Sequence, residues 1–254
     1  MKRIAVIADL HCGHPTGLTP EPWQFKMGSS KERDALADYQ NESWGRYVEM
    51  VDAIKPVDVL FVVGDCIDGR VTGRHLVSED RDDQAKMAQE CIGLWNAPEI
   101  VMVYGTRIHT GKLEKWERQI ADAVGADIAS RQFVKVDDVT FKLRHKVGRS
   151  RIPHGRFTAI ARSAMWGELR AARDKDPQVD VHLFAHTHYH RYAGGPDWLA
   201  MTLPALQGSS EYGAEEIDDD VDWGVVWFDV EGKTYDWHSS VVKMQSSKPE
   251  VIRL

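Results

Sequence analysis

Four short apolar runs in this chain each end on side chains that can hold a metal ion, and that recurrence limits the fold more than any other feature. Residues 57–63 are apolar except for Asp58, and Gly64 stops the run; Asp65 and Asp68 then follow at spacing i and i+3. Residues 4–11 read IAVIADLH, a strand closing on Asp9-Leu10-His11. Residues 99–110 read EIVMVYGTRIHT, a strand closing on Gly105 and then His109. Residues 179–190 read VDVHLFAHTHYH, a strand closing on His186-Thr187-His188. Open α/β folds place their chemistry at the carboxyl edge of such buried strands. One Asp after one strand reads most simply as a turn residue or a helix N-cap. Four strand ends carrying Asp or His read instead as a metal site, because carboxylate and imidazole are ligands of zinc, manganese and iron.

In their order along the chain, these elements resemble the calcineurin-like metallophosphoesterases. That family's pattern is DxH, GDxxD, GNH followed by an acid, a lone His, and GHxH. Asp9-Leu10-His11 matches the first element, Gly64-Asp65-Cys66-Ile67-Asp68 the second, and Ala185-His186-Thr187-His188 the last, with Ala for Gly. His145, in LRHKVG, stands where the lone His belongs, with His154 a nearby rival. The third element departs: GTRIHTG, residues 105–111, stands where GNH and its acid are expected. Gly-Thr-x-x-His variants occur among phage and prophage members, so a phage-type relative is implied. The resemblance spans residues 4–188; the order of the five parts is specific, whereas each part alone is weak.

The resemblance implies an α/β fold, a four-layer α-β-β-α sandwich of two mixed sheets. It also implies two divalent metal ions bridged by Asp65, with manganese favoured and iron, zinc, nickel or magnesium as alternatives. Carried over position by position, Asp9, His11 and His188 complete one metal site, and His145 and His186 belong to the second. Thr106 stands where the family places an Asn ligand, and a hydroxyl is a poorer donor than an amide carbonyl. The implied activity is hydrolysis of phosphate esters by hydroxide generated between the two ions, with phosphodiesters or nucleic acid favoured as substrate. The alternatives are a phosphomonoesterase and a metal-binding interaction module that has lost catalysis. His109, which has no ligand duty in the family, is the expected general acid, with Asp68 to orient and charge it. Arg70 or Arg107 is available to clamp a phosphate oxygen.

A chain of 254 residues fits one domain, residues 1–254, with a sizeable core. Hydrophobic residues at 43% and charged residues at 28% are ordinary for a globular protein. No apolar run approaches bilayer-spanning length, and Asp9 interrupts the first apolar stretch, so neither a membrane segment nor a signal peptide is expected. Three cysteines in no pattern point to reduced thiols and a cytoplasmic setting, with Cys12 and Cys66 as small fillers near the site. The net charge of −7 hangs largely on residues 215–222, which hold six acids and read as a solvated loop. Residues 144–156 are the opposite case, with five Arg or Lys and no acid around His145, either an exposed basic loop or a surface for a phosphate-bearing substrate.

Along the chain, residues 11–30 form an irregular loop beside the site, in which His14 reads as a surface residue. Residues 41–54 form an amphipathic helix with Trp44, Tyr47, Val48, Val51 and Ile54 on one face. Further helices are expected over residues 79–95, from Leu113 to Val124, and over 157–173. Residues 132–147 read as a hairpin turning at Asp137-Asp138, and residues 198–242 mainly as strands, the last two pairing about Glu231-Gly232. Strands alternating with helices, then a strand-rich tail, predict two sheets packed face to face with helices outside; a single doubly wound sheet fits the pattern equally.

Overall fold

The computed structural model describes residues 1–28, 30–69, 76–111, 115–148, 150, 152–209 and 221–244. Two mixed sheets form its centre. The first has the order β11-β10-β1-β2-β3-β4. Its strands are β1 (Lys2–Ile7), β2 (Val59–Val62), β3 (Glu99–Val103) and β4 (Asp127–Ala129), all parallel, with the hairpin of β10 (Trp223–Glu231) and β11 (Thr234–Val242) added antiparallel to β1. The second has the order β5-β6-β7-β9-β8. There β6 (Val139–Lys146), β7 (Val181–Ala185) and β9 (Trp198–Thr202) run parallel, flanked antiparallel by β5 (Gln132–Val136) and β8 (Arg191–Gly195).

Alternation along the strands decides which side chains meet. Ile4, Val6, Phe61 and Phe228 of the first sheet meet Phe141, Leu143, Val181 and Leu183 of the second in one apolar layer. Phe141 is the pivot, edge-on to Phe61 at 5.5 Å and to Phe228 at 5.2 Å between ring centres. The opposite face of the first sheet supplies Ala5, Ile7, Leu60 and Val62, which pack on α1 (Lys31–Ile54), α2 (Arg81–Gly93) and α4 (Lys115–Val124). The opposite face of the second sheet packs Phe184 and Ala200 on Ile160 and Ala164 of α5 (Pro153–Ala171). The result is the α-β-β-α sandwich that the resemblance implies.

The differences from the sequence reading have local causes. Helix α1 begins at Lys31, before the apolar stripe starts, because Ser30 caps it by accepting from the Arg33 amide at 3.2 Å. Met50 rather than Val48 joins Tyr47, Val51 and Ile54 in its buried stripe. The three-residue β4 and the four-residue α3 (Arg107–Thr110) are too short to leave a periodic signal. Most of the acidic run lies outside the described residues, but its last member is structural: Asp222 binds Arg191 at 2.8 Å and accepts from the His190 amide at 2.7 Å. No helix among the described residues is long and apolar enough to cross a membrane.

Strands β1, β2 and β3 end at one edge of the first sheet, and β6 and β7 end at the facing edge of the second. Beyond the strands the chain continues paired. The Asp9 amide bonds to the Gly64 carbonyl, the His11 amide to Asp65, and the Cys12 amide to Cys66, each at 3.0 Å. The two loops that follow β1 and β2 are therefore held side by side.

Candidate metal centre

The ends of β1, β2 and β7 turn their ligands inward through a backbone conformation that L-residues rarely adopt. Among the described residues, eight that are not glycine have left-handed φ, and five of them are Asp9, His11, Asp65, His186 and His188. Asp and His enter this region more readily than most residues, yet each instance still strains the backbone. Such strain gathers where a site fixes side-chain direction.

Two groups of one carboxylate and two imidazoles result: Asp9 with His11 and His188, and Asp65 with His145 and His186. Within each group the ligand atoms lie within 4.8 Å of one another. The groups abut. His145 Nε2 lies 3.0 Å from Asp65 Oδ2 and 3.9 Å from Asp9 Oδ1, and His11 Nε2 lies 3.9 Å from Asp9 Oδ1 and 4.0 Å from Asp65 Oδ2. His188 Nε2 is 3.5 Å from Asp9 Oδ1, and His186 Nδ1 is 4.0 Å from Asp65 Oδ2.

These residues fit divalent ions. His145 Nδ1 donates to the Val63 carbonyl at 2.7 Å, and a carbonyl only accepts, so Nε2 is the atom turned toward the carboxylates, where a divalent ion would replace its proton. His11 Nδ1 is likewise held by Asp68 Oδ1 at 3.3 Å, leaving Nε2 to face Asp9 and Asp65. This is how ligand histidines are oriented in metal sites. Asp9 Oδ1 and His11 Nε2 are buried with no hydrogen-bond partner among the described residues. Burial opposes ionisation of Asp65, but His145, His109 and His11 hold its carboxyl well below the usual range. Burial likewise opposes a charge on His145, yet Asp65 and Asp9 push its imidazolium up to about 10. Two ionised carboxylates at the bottom of a buried cluster call for positive charge, which a cation supplies.

A third group joins His11 to Asp68 and His109. The His109 ring stands edge-on to His11, with centres 4.5 Å apart. Its Nδ1 donates to the Asp68 backbone carbonyl at 2.6 Å. The Asp68 carboxylate lies nearer His11, at 3.3 Å, than His109, at 3.7 Å. So Asp68 orients His109 through its carbonyl and His11 through its side chain. Burial and the neighbouring His11 lower the His109 pKa, against the pull of Asp65 and Asp68.

Thr106 does not cap α3 with its side chain. Its amide donates to Asp65 Oδ1 at 2.6 Å, and its hydroxyl lies 3.2 Å from both Asp65 oxygens. Arg107 is exposed and lines a cavity of about 360 Å³ with Thr106 and His145. Arg70 lies outside the described residues, as do Arg149 and Arg151 of the basic run. His154 is exposed on the first turn of α5, away from the cluster that His145 joins. His14 is buried rather than at the surface, because Thr16 donates to its Nδ1 at 3.1 Å. Cys12, Cys66 and Cys91 are buried and unbridged, and none enters a ligand group among the described residues.

Glu117 is the residue the motifs do not reveal. From α4 its carboxylate accepts from the Cys66 amide at 3.0 Å and from the Gly105 amide at 2.7 Å, tying the loop after β2 to the loop after β3. Burial and Asp65 push its pKa up to about 7. The available signal is an acid on the same helix face as Ile120, Ala121 and Val124. Gly105 is required where these loops meet, since a Cβ there would run into Asp65.

No family model and no curated protein matches the sequence. In shape the chain is similar to an archaeal phosphodiesterase, at 16% identity over 94% of this chain and 99% of that one, with TM-score 0.48. It is similar to zinc-complexed Vps29 of Entamoeba histolytica at 12% identity, over 94% and 98%, with TM-score 0.47. A predicted phosphoesterase of Streptococcus pneumoniae shares 11% identity over 94% and 89%, with TM-score 0.44.

Proposed function

We propose that this protein is a metal-dependent phosphoesterase with a preference for phosphodiesters. The observation that carries the reading is the pair of abutting ligand groups, Asp9–His11–His188 and Asp65–His145–His186, with His109 alongside. Divalent ions held there would acidify a water and neutralise the phosphoryl oxygens as charge develops. Asp65 faces both groups and would serve both ions. Thr106, by directing its amide and hydroxyl at Asp65, would hold that carboxylate in place for both ions. The Nδ1 bonds of His11 and His145 fix which nitrogen each ring offers. His109, with Nδ1 tied to a carbonyl, holds or releases its second proton at Nε2, the atom free to serve a leaving alkoxide. Arg107, at the mouth beside Thr106, offers a guanidinium to a non-bridging phosphate oxygen.

Protein stripped with chelator and titrated with manganese or zinc should bind two ions per chain by calorimetry. The loaded protein should hydrolyse bis(4-nitrophenyl) phosphate faster than 4-nitrophenyl phosphate. Binding without hydrolysis of either ester would favour the non-catalytic metal module, and absence of binding would reject both readings.

A further inference from the structure

Away from the ligand cluster, the outer face of the second sheet carries a groove of about 590 Å³ whose walls are basic. One wall is β6. Its inward residues, Phe141, Leu143 and His145, are buried between the sheets or in the site, so alternation puts Lys142, Arg144 and Lys146 on the outer face. The other wall is α5, which presents Arg162, Trp166 and Arg170 at four-residue spacing along one helical stripe. Arg131 brings the cations lining the groove to six, and no carboxylate lines it. Asp176 pairs with Arg131 at 3.3 Å and lies 4.0 Å from Arg170, offsetting part of this charge. The charge is felt: burial lowers the Lys142 pKa, and Arg131, Arg144 and Arg170 lower it further against Asp176. A chain of net charge −7 has thus gathered a cationic strip on one face.

Two details select the occupant. Each basic stripe is about 12–13 Å long by strand and helix rise, enough for several phosphates in a row rather than one. Trp166 is 57% exposed among the cations, an aromatic face open to solvent. Cations that track a backbone, interleaved with an exposed aromatic ring, are the means by which proteins hold single strands. The groove also leads to the ligand cluster, since Arg144 and Lys146 line the cavity of Thr106 and His145 as well.

We propose that this groove binds the sugar-phosphate backbone of single-stranded nucleic acid, with a base on Trp166, and leads one phosphodiester to the ligand cluster. The last clause rests on the phosphoesterase reading; the binding surface does not.

The test is fluorescence anisotropy with a labelled oligothymidylate and chelated, full-length protein, so that binding is read without cleavage. Arg162→Gln with Arg170→Gln removes two phosphate partners on an exposed helix face far from the ligands. Affinity should fall roughly tenfold, and the slope of log affinity against log salt should shrink by about 1.4. Trp166→Ala should weaken binding about fivefold or more at an unchanged salt slope. Hydrolysis of bis(4-nitrophenyl) phosphate by the metal-loaded variants should match the parent, which also verifies their folding. An unchanged salt slope in the double variant would overturn the proposal. So would equal displacement of the oligonucleotide by duplex DNA or by a phosphopeptide. If the parent binds the oligonucleotide through these residues but cleaves no ester, the phosphoesterase reading fails and the binding surface stands.

Discussion

At the scale of single residues, the centre depends on where a few atoms point. By distance the two carboxylates are alike, Asp65 Oδ2 lying 4.0 Å from His11 of the other group and Asp9 Oδ1 3.9 Å from His145. The resemblance implies that Asp65 alone serves both ions, so Asp65→Asn should impair both ions in a metal titration and Asp9→Asn mainly one. Equal losses in the two variants would contradict a bridging Asp65. His109 makes a different claim, because it acts on the leaving group and not on the ions. A nitrophenolate departs without a proton, whereas an alkoxide is a strong base and needs one in the transition state. A positioned acid contributes about 10² to 10⁴ in rate. His109→Ala should therefore slow an alkyl diester by roughly that factor and an aryl diester little, at unchanged metal content. If both esters slow together and metal is lost, His109 belongs among the ligands instead.

At the scale of elements, the ligands are held by loops that other elements pin. Glu117 accepts two buried amide protons, from Cys66 and Gly105. Glu117→Ala would orphan both, at about 1–3 kcal/mol each, and free the loops that carry Asp65 and Thr106. Metal affinity should fall with Ala and fall less with Gln, which keeps one acceptor; equal affinity in all three proteins would remove the pin from the account. The motif residues were legible because Asp and His at the ends of apolar strands are out of character for a core. Glu117 was not, because its partners are backbone amides of distant loops and leave no pattern. The groove was half legible: residues 144–156 read as basic, but that Lys142 and Arg144 line one groove with Arg162 and Arg170 needs the seating of α5 on the outer face of the second sheet. His182, on the outer face of β7, adds a test by pH. It is buried beneath α5, where a Cβ on Gly167 would come within 2.7 Å of its ring. Burial, aided by Lys142, pushes its pKa down to about 4 from 6.5. The unfolded chain thus takes up this proton near pH 6.5 and the folded chain resists it until about pH 4. The stability tied to a neutral His182 is complete above 6.5 and is lost as pH falls to 4, by roughly 3 kcal/mol. His182→Leu should flatten the stability profile in that window, measured by urea unfolding; parallel profiles for parent and variant would exclude it.

At the scale of the whole molecule, the ligand cluster lies at one end of the apolar layer between the two sheets. The layer between them closes around Ala8 and Val63 on one side and Ala185 on the other. One step further on, the first sheet offers Asp9 and Asp65, and the second offers His145, His186 and His188. Bound ions would therefore fasten one sheet to the other, at the end of the sandwich where packing stops. A ligand that binds only the folded chain stabilises it by about 2.7 kcal/mol at a hundredfold excess over its dissociation constant. For a chain of this size that corresponds to a rise in Tm of roughly 5–10 °C. The parent should show that rise on adding manganese or zinc and lose it with chelator. His186→Ala, which keeps every ligand of the first sheet, should retain only part of it. Hydrogen exchange locates the effect: metal should slow exchange in the loops after β1, β2 and β7 together, and leave the β10–β11 hairpin unchanged. If metal binds by calorimetry but protects the loops of only one sheet, the ions sit on a single sheet edge and the two groups do not act as one centre.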